Sequence, residues 1–238
     1  MTAALEVDHL TVAYKDTVIL HDLCARIPQG VVAALIGPNG AGKTTFLKSI
    51  LSIVQPRAGT VKFLGTPYNT IRNQVAYIPQ RSSIDWDFPA CARDVAIMGR
   101  YGSLGWFKRP GKTDWAQADQ SLELVGLSNY AARPIQELSG GQQQRLFLAR
   151  ALAQEAQIYL LDEPFAGIDA HSEKMIISLL HTMRDQGKTI IIVHHDLNTL
   201  SYFDWALLIN KKAVACGPVS QAITPTTLAQ TYGLVVPC

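Results

Sequence analysis

Between residues 5 and 36, apolar and polar positions alternate in two short runs, EVDHLTVAY and VILHDLCARI, and then give way to the unbroken apolar run VVAALI. Alternation at period two predicts half-buried strands, and a continuous run of this length predicts a strand covered on both faces. A glycine-rich turn follows. After it, KTTFLKSILSIV sets Phe46, Leu47, Ile50, Leu51 and Val54 at helical spacing, which predicts a helix through Val54. The runs IYLL at 158–161 and TIIIV at 189–193 are again short and apolar, with a helical pattern over 172–184 between them. Strands alternating with helices predict a mostly parallel sheet flanked by helices, the α/β class. The stretch 81–153 loses its β-branched runs, carries the turn-rich GRYGSLGWFKRPGK and closes on GQQQRLFLARALAQ. That composition predicts a mostly helical insertion.

The 238 residues are enough for one substantial core with a smaller subdomain folded around it. A formal net charge of +2 with 17% charged residues, and no Lys/Arg run, argues against a nucleic-acid footprint. No run approaches the roughly 20 apolar residues of a membrane-spanning helix. The start MTAALEVDHL lacks a basic region followed by an apolar stretch, so no secretory signal is read and a cytoplasmic location is expected. Cys24, Cys91, Cys216 and Cys238 are far apart and form no CxxC pair, which predicts reduced thiols. Cys24 and Cys91, among apolar neighbours, are expected as small packing residues, and Cys238 as an exposed thiol.

Three motifs carry chemistry. Gly37-Pro38-Asn39-Gly40-Ala41-Gly42-Lys43-Thr44 fits the phosphate loop GxxxxGK[ST] and lies between an expected strand and an expected helix, with Thr45 beginning the helical run. Backbone N–H groups and the helix N-terminus suit an anion. Lys43 suits the β- and γ-phosphates, and the Thr44 hydroxyl suits Mg²⁺. The strand IYLLD ends in Asp162, which delivers a carboxylate to the sheet edge for Mg²⁺, and the adjacent Glu163 is placed to polarise an attacking water. The third motif is Leu138-Ser139-Gly140-Gly141-Gln142 before a long helical run, with Ser139 at an N-cap position. It is a second phosphate-reading helix end. One nucleotide hardly needs two from one subunit unless a second subunit donates one of them. The pair His194-His195 is not expected to bind one metal ion, since neighbours after a strand point to opposite faces.

With phosphate loop, LSGGQ and LLDEP in this order, the chain resembles the ATP-binding cassette family along essentially its whole length. The resemblance implies a P-loop NTPase core with an antiparallel β subdomain (1–80 and 154–238) and a helical subdomain carrying the signature motif (81–153). It implies ATP and Mg²⁺ as ligands and ATP hydrolysis as the reaction. Tyr14 matches the aromatic that stacks on adenine. Gln80, closing VAYIPQ, matches the glutamine that touches Mg²⁺ or water and senses the membrane subunit. Asp169, in FAGID, resembles the loop that crosses to a partner's site, and His195, in VHHDL, resembles the switch histidine at the γ-phosphate. That loop commonly reads SALD in the family, so Gly167 and Ile168 depart from it.

The resemblance further implies a head-to-tail dimer of two copies, with ATP on Lys43 of one covered by Ser139 and Gly141 of the other. It also implies permease subunits in the membrane, peripheral attachment at its cytoplasmic face, and an extracytoplasmic metal-binding protein acting through the complex. The stretch RSSIDWDFPACARDVAIMGRYGSLGWFKRP looks like that of cassettes serving bacterial manganese, zinc or iron importers, although Ala90-Cys91-Ala92 departs from them. Trp86, Phe88, Trp106 and Phe107 are candidates to line a groove for a permease helix. Siderophore, haem or cobalamin importers are the nearest alternative, and exporters and non-transport cassettes are more distant ones.

Overall fold

The structure, a computed structural model, describes residues 3–80, 84, 86–104 and 108–234. In chain order its first elements are β1 (Ala3–Tyr14), β2 (Thr17–Pro28), β3 (Val32–Ile36), α1 (Lys43–Ile50), β4 (Ala58–Phe63), α2 (Tyr68–Ile71), β5 (Val75–Ile78), α3 (Ala92–Ile97), α4 (Tyr101–Leu104) and α5 (Lys112–Leu124). Then come α6 (Gly140–Ala153), β6 (Ile158–Asp162), α7 (Ala170–Asp185), β7 (Thr189–His194), β8 (Trp205–Asn210), β9 (Lys212–Pro218), α8 (Val219–Ala222) and α9 (Pro225–Tyr232). The chain divides into two compact units, Met1–Arg72 with Arg184–Cys238, and Asn73–Met183.

The first unit holds two sheets. In the antiparallel one, β1 lies between β2 and β4. Leu5 and Val7 are buried, and a register shift at His9, whose φ is 51°, resets the alternation so that Leu10 and Val12 are buried as well. In the other sheet β3 is paired in parallel with β7 on one side and β8 on the other, and β9 returns antiparallel along β8. Every residue of β3 and β7 is buried, which is why both were written as continuous apolar runs. Helix α1 packs Phe46, Leu47 and Ile50 into the core but stops earlier than its periodicity predicts. Ser52 turns to a positive φ of 56°, and the Lys48 carbonyl accepts from the N–H groups of both Ile53 and Val54 at 2.9 and 3.2 Å. That closure satisfies a carbonyl of the last turn and leaves Val54 outside the helix.

In the second unit β5 and β6 run parallel in register, Val75 opposite Ile158 through Ile78 opposite Leu161. Helices α3, α5 and α6 pack together around Val95, Ile97, Ala118, Leu122, Leu146 and Ala149. Arg100 fastens the end of α6: it donates to Asp114 at 3.1 Å, to the Ala153 carbonyl at 3.0 Å and to Glu155 at 2.8 Å. A guanidinium at a helix C-terminus both satisfies a carbonyl and complements the helix dipole. The α/β class read from the sequence therefore holds, with parallel strands, flanking helices and a separate antiparallel sheet.

The packing role expected for two cysteines does not hold. Leu23, Ala25 and Ile27 take the inward positions of β2, so the pleat turns Cys24 outward and it is exposed. Cys91 is only half-buried, at the N-terminus of α3, where its thiol lies 3.0 Å from the Asp94 carboxylate. Cys238 is outside the described residues. Among the described residues no helix is long and apolar enough to cross a membrane.

Because Phe46 is fully buried and Ile53 is 60% exposed, Phe46→Ala should cost about 3–5 kcal/mol and Ile53→Ala less than about 0.5 kcal/mol. Urea unfolding of the two variants checks this, and equal losses would contradict the placement of α1.

Candidate functional site

The phosphate loop lies in the first unit, where β3 runs out into residues 37–42 and α1 begins. Lys43 is only 8% exposed, and its ammonium donates to the carbonyls of Gly37 and Pro38 at 2.7 and 3.0 Å. The loop thus folds back over its own lysine. Its two ends are confined. A Cβ on Gly37 would stand 2.1 Å from the Ile209 carbonyl oxygen, and one on Gly42, at φ 97°, would stand 2.6 Å from Leu20 Cδ2. Only glycine fits either position. The Lys211 N–H donates to the Ala41 carbonyl at 3.1 Å and ties the loop to the β8–β9 turn. Asn39 and Gly40 are exposed at the crest, and a Cβ on Gly40 would meet nothing within 4 Å. Thr44 and Thr45 stand half-buried in the first turn of α1.

Two further expected residues belong to this unit. Tyr14 ends β1 and is 46% exposed, which leaves its ring face open. His195 follows the last residue of β7 and is exposed. Since His194 pairs with Ile36 in parallel register, His195 and the phosphate loop emerge at the same end of their strands. The neighbouring His194 is buried, with its ring centroid 6.1 Å from that of His195.

The carboxylates lie in the second unit. Asp162 closes β6 and is 1% exposed. Burial, followed by the negative charge of Asp162, pushes the Tyr77 phenol up to about 12. Glu163 comes next, half-buried, with a left-handed φ of 53° that is costly for a residue with a Cβ. Because β5 and β6 are parallel, Gln80 and Glu163 leave their strands at the same end, and Gln80 Nε2 donates to Glu163 Oε2 at 2.9 Å. That contact joins two expected site residues 83 positions apart.

The signature segment is in the same unit. Ser139 caps α6 with φ −62° and ψ 160°; its hydroxyl accepts from Gln142 N at 3.3 Å, and its own N–H donates to Gln142 Oε1 at 2.9 Å. This reciprocal capping box commits the Gln142 side chain to the helix start. Gly140 and Gly141 bring no side chain of their own to the first turn, and Ile168 Cγ2 would lie 3.6 Å from a Cβ on Gly141. The departure from SALD therefore bears on the signature turn. Asp169 caps α7: one carboxylate oxygen accepts from the N–H groups of His171 and Ser172 at 3.0 and 2.9 Å, the other from the Ser172 hydroxyl at 2.7 Å. These bonds, those of Ser172 foremost, hold the Asp169 carboxyl down at about 2. In the sequence, the signal for this cap is an Asp placed directly before the helical run.

Each unit carries donors of the kind a magnesium nucleotide needs. In the first, a buried ammonium, a helix N-terminus and a glycine-lined crest suit phosphates, and the Thr44 hydroxyl is a hard ligand of the kind Mg²⁺ prefers; in the second, the oxygens of Gln80 and Asp162 are ligands of the same kind. Residues 20–166 match the ABC transporter family. The chain belongs to that family. This ABC transporter chain is 51% identical over 231 residues to the zinc transport system ATP-binding protein TroB of Treponema pallidum, covering 97% of this chain and 87% of that one. It is 48% identical over 230 residues to the manganese transport system ATP-binding protein MntB of Bacillus subtilis, covering 96% and 92%. Among solved structures it resembles a chain of an inward-facing transporter assigned to the metal-chelate ABC type, with a TM-score of 0.85, 29% identity and coverage of 97% and 89%.

Of the aromatics expected to meet a permease, Trp86 packs edge-on against Phe147 with centroids 5.2 Å apart, and Phe88 is 52% exposed. Trp106 and Phe107 lie outside the described residues. His194 escaped the sequence reading, which weighed it only as a metal ligand; its burial was announced by the apolar run it ends.

Ser172→Ala removes a hydrogen bond that favours the charged form of Asp169, so the Asp169 pKa should rise from about 2 toward the ordinary 3.8. The folded value lies below the unfolded one, so the stabilisation is present above about pH 4 and is lost as pH falls toward 2. A carboxyl-detected NMR titration reads both variants, and an unchanged pKa would contradict the cap.

Proposed function

We propose that this chain is the ATP-hydrolysing subunit of a manganese or zinc import system, working as a head-to-tail pair of copies bound to separate permease subunits. Iron is a third metal within the same class. The observation that carries the reading is an intact Glu163, held by Gln80, in a chain that follows metal-transport ATP-binding subunits over nearly its whole length.

In this reading the N–H groups of residues 37–42 and the Lys43 ammonium bind the β- and γ-phosphates, and Tyr14 stacks on the adenine. Thr44, Gln80 and Asp162 hold Mg²⁺, which when bound offsets charge on the phosphate oxygens. Glu163 orients the attacking water and accepts its proton, and His195 stabilises the γ-phosphate as charge develops there. Ser139, Gly140 and Gly141 of the second copy present the α6 N-terminus to the same nucleotide, beside the loop of Asp169. The pair sits peripherally on the cytoplasmic face of the membrane, with Phe88 on the face offered to a permease helix. A metal-binding protein on the far side delivers the cargo.

Removing the general base typically costs 10²–10⁴ in rate, so Glu163→Gln should lower ATP turnover at least about 100-fold while leaving ATP binding intact. In cells lacking the chain, accumulation of manganese or zinc should fall and return with the wild-type chain but not with Glu163→Gln. Unchanged accumulation of manganese, zinc and iron would favour a chelate cargo, the alternative suggested by the metal-chelate neighbour. Restoration by Glu163→Gln would overturn the catalytic assignment.

A further inference from the structure

A single residue, His195, separates the last residue of β7 from Asp196, which caps the short 3₁₀ turn Leu197–Tyr202. The Asp196 carboxylate accepts from the N–H and the side-chain amide of Asn198, both at 2.9 Å. Further into that turn, the Thr199 hydroxyl lies 3.1 Å from the Asp196 carbonyl oxygen. Thr199 Oγ1 also lies 2.5 Å from His194 Nε2, so one hydroxyl bridges the Asp196 carbonyl and the imidazole, and the tautomer of His194 follows from which of the two takes the hydroxyl proton. Burial, and next the adjacent His195, lower the His194 pKa, so the ring is neutral at pH 7. Phe203 holds its other side, with centroids 5.0 Å apart.

We propose that His194, acting through Thr199, is the positioning residue that fixes the turn bearing His195. The inference rests on the reading of His195 as the γ-phosphate group. His195 is exposed and its ring lies against that of His194, with centroids 6.1 Å apart, so its aim depends on the backbone at each side and on that neighbour. On one side, residue 194 is pinned by its pairing with Ile36, the residue before the phosphate loop. On the other, residue 196 is pinned by Thr199, and the imidazole of His194 closes the ring between the two. A hydrogen bond beneath an exposed catalytic side chain restricts its orientation without touching the nucleotide.

The test uses the full-length chain with Thr199→Val, which keeps the shape and removes the hydroxyl, and Thr199→Ser, which restores it. Thr199→Val should lower kcat about tenfold with KM for ATP changed less than about twofold, and Thr199→Ser should recover most of kcat. In a His195→Ala background, Thr199→Val should cause no further loss, the non-additivity expected of one residue acting through another. Imidazole ¹⁵N signals without nucleotide should show His194 held in one tautomer, with the preference lost in Thr199→Val. A lower melting temperature with unchanged kcat, additive losses, or a His194 ring whose tautomer preference is unchanged by Thr199→Val would each overturn the inference. If His195→Ala alone kept wild-type kcat, the role given to His195 would fall and the inference with it; if His195→Ala lowered kcat but Thr199→Val did not, the inference alone would fall.

Discussion

An ammonium removed from water must find oxygen atoms, and Lys43 finds them in the carbonyls of Gly37 and Pro38. Much of the first unit follows from that requirement. For those carbonyls to turn toward the lysine, the chain leaving β3 must curl immediately, and it can do so only against the Ile209 carbonyl, where any side chain on Gly37 would collide. The loop's other end meets Leu20 of β2 and is tied to Lys211 beyond β8. The strands β3, β7 and β8 are thereby more than a core: their ends form the rigid rim on which loop and His195 are mounted. Replacing the loop's own carbonyls by phosphate oxygens exchanges one set of lysine acceptors for a more strongly charged one, which is a physical route to nucleotide binding without a new fold.

The second unit meets a different constraint, that of carboxylates with separate tasks. Asp162 is buried at a strand end, Glu163 is half-buried on a left-handed backbone and restrained by Gln80, and Asp169 is engaged in capping α7. Environment and not residue type divides these roles. The Gln80 contact matters for coupling, because the residue expected to sense the permease is already hydrogen-bonded to the residue expected to activate water. A displacement of one is felt by the other directly, across a single hydrogen bond.

What the sequence revealed and what it hid follow from range. The parallel strands were legible because burial on both faces writes continuous apolar runs, and the phosphate loop and the α6 cap were legible because each is a local motif. The end of α1 was hidden, since Leu51 and Val54 continue the helical spacing while Ser52 breaks the backbone for reasons of closure. Cys24 was misread because its neighbours are apolar, yet strand parity, not neighbourhood, decides the face. The Gln80–Glu163 contact could not be read at all, as it depends on the register of two strands far apart in the chain. The cap at Asp169 is legible from residue type, an Asp directly before a helical run, whereas its bonds to Ser172 are not.

The central claim is that one copy carries the phosphate loop and the other the signature turn of each working site. Light scattering of the Glu163→Gln chain with and without MgATP tests it most directly, with a second variant, Ser139→Arg added to Glu163→Gln, as the control. The account predicts that MgATP doubles the mass of the first protein and not of the second, although both bind nucleotide. A chain that binds MgATP and keeps its mass, or one that doubles regardless of Ser139, would contradict it.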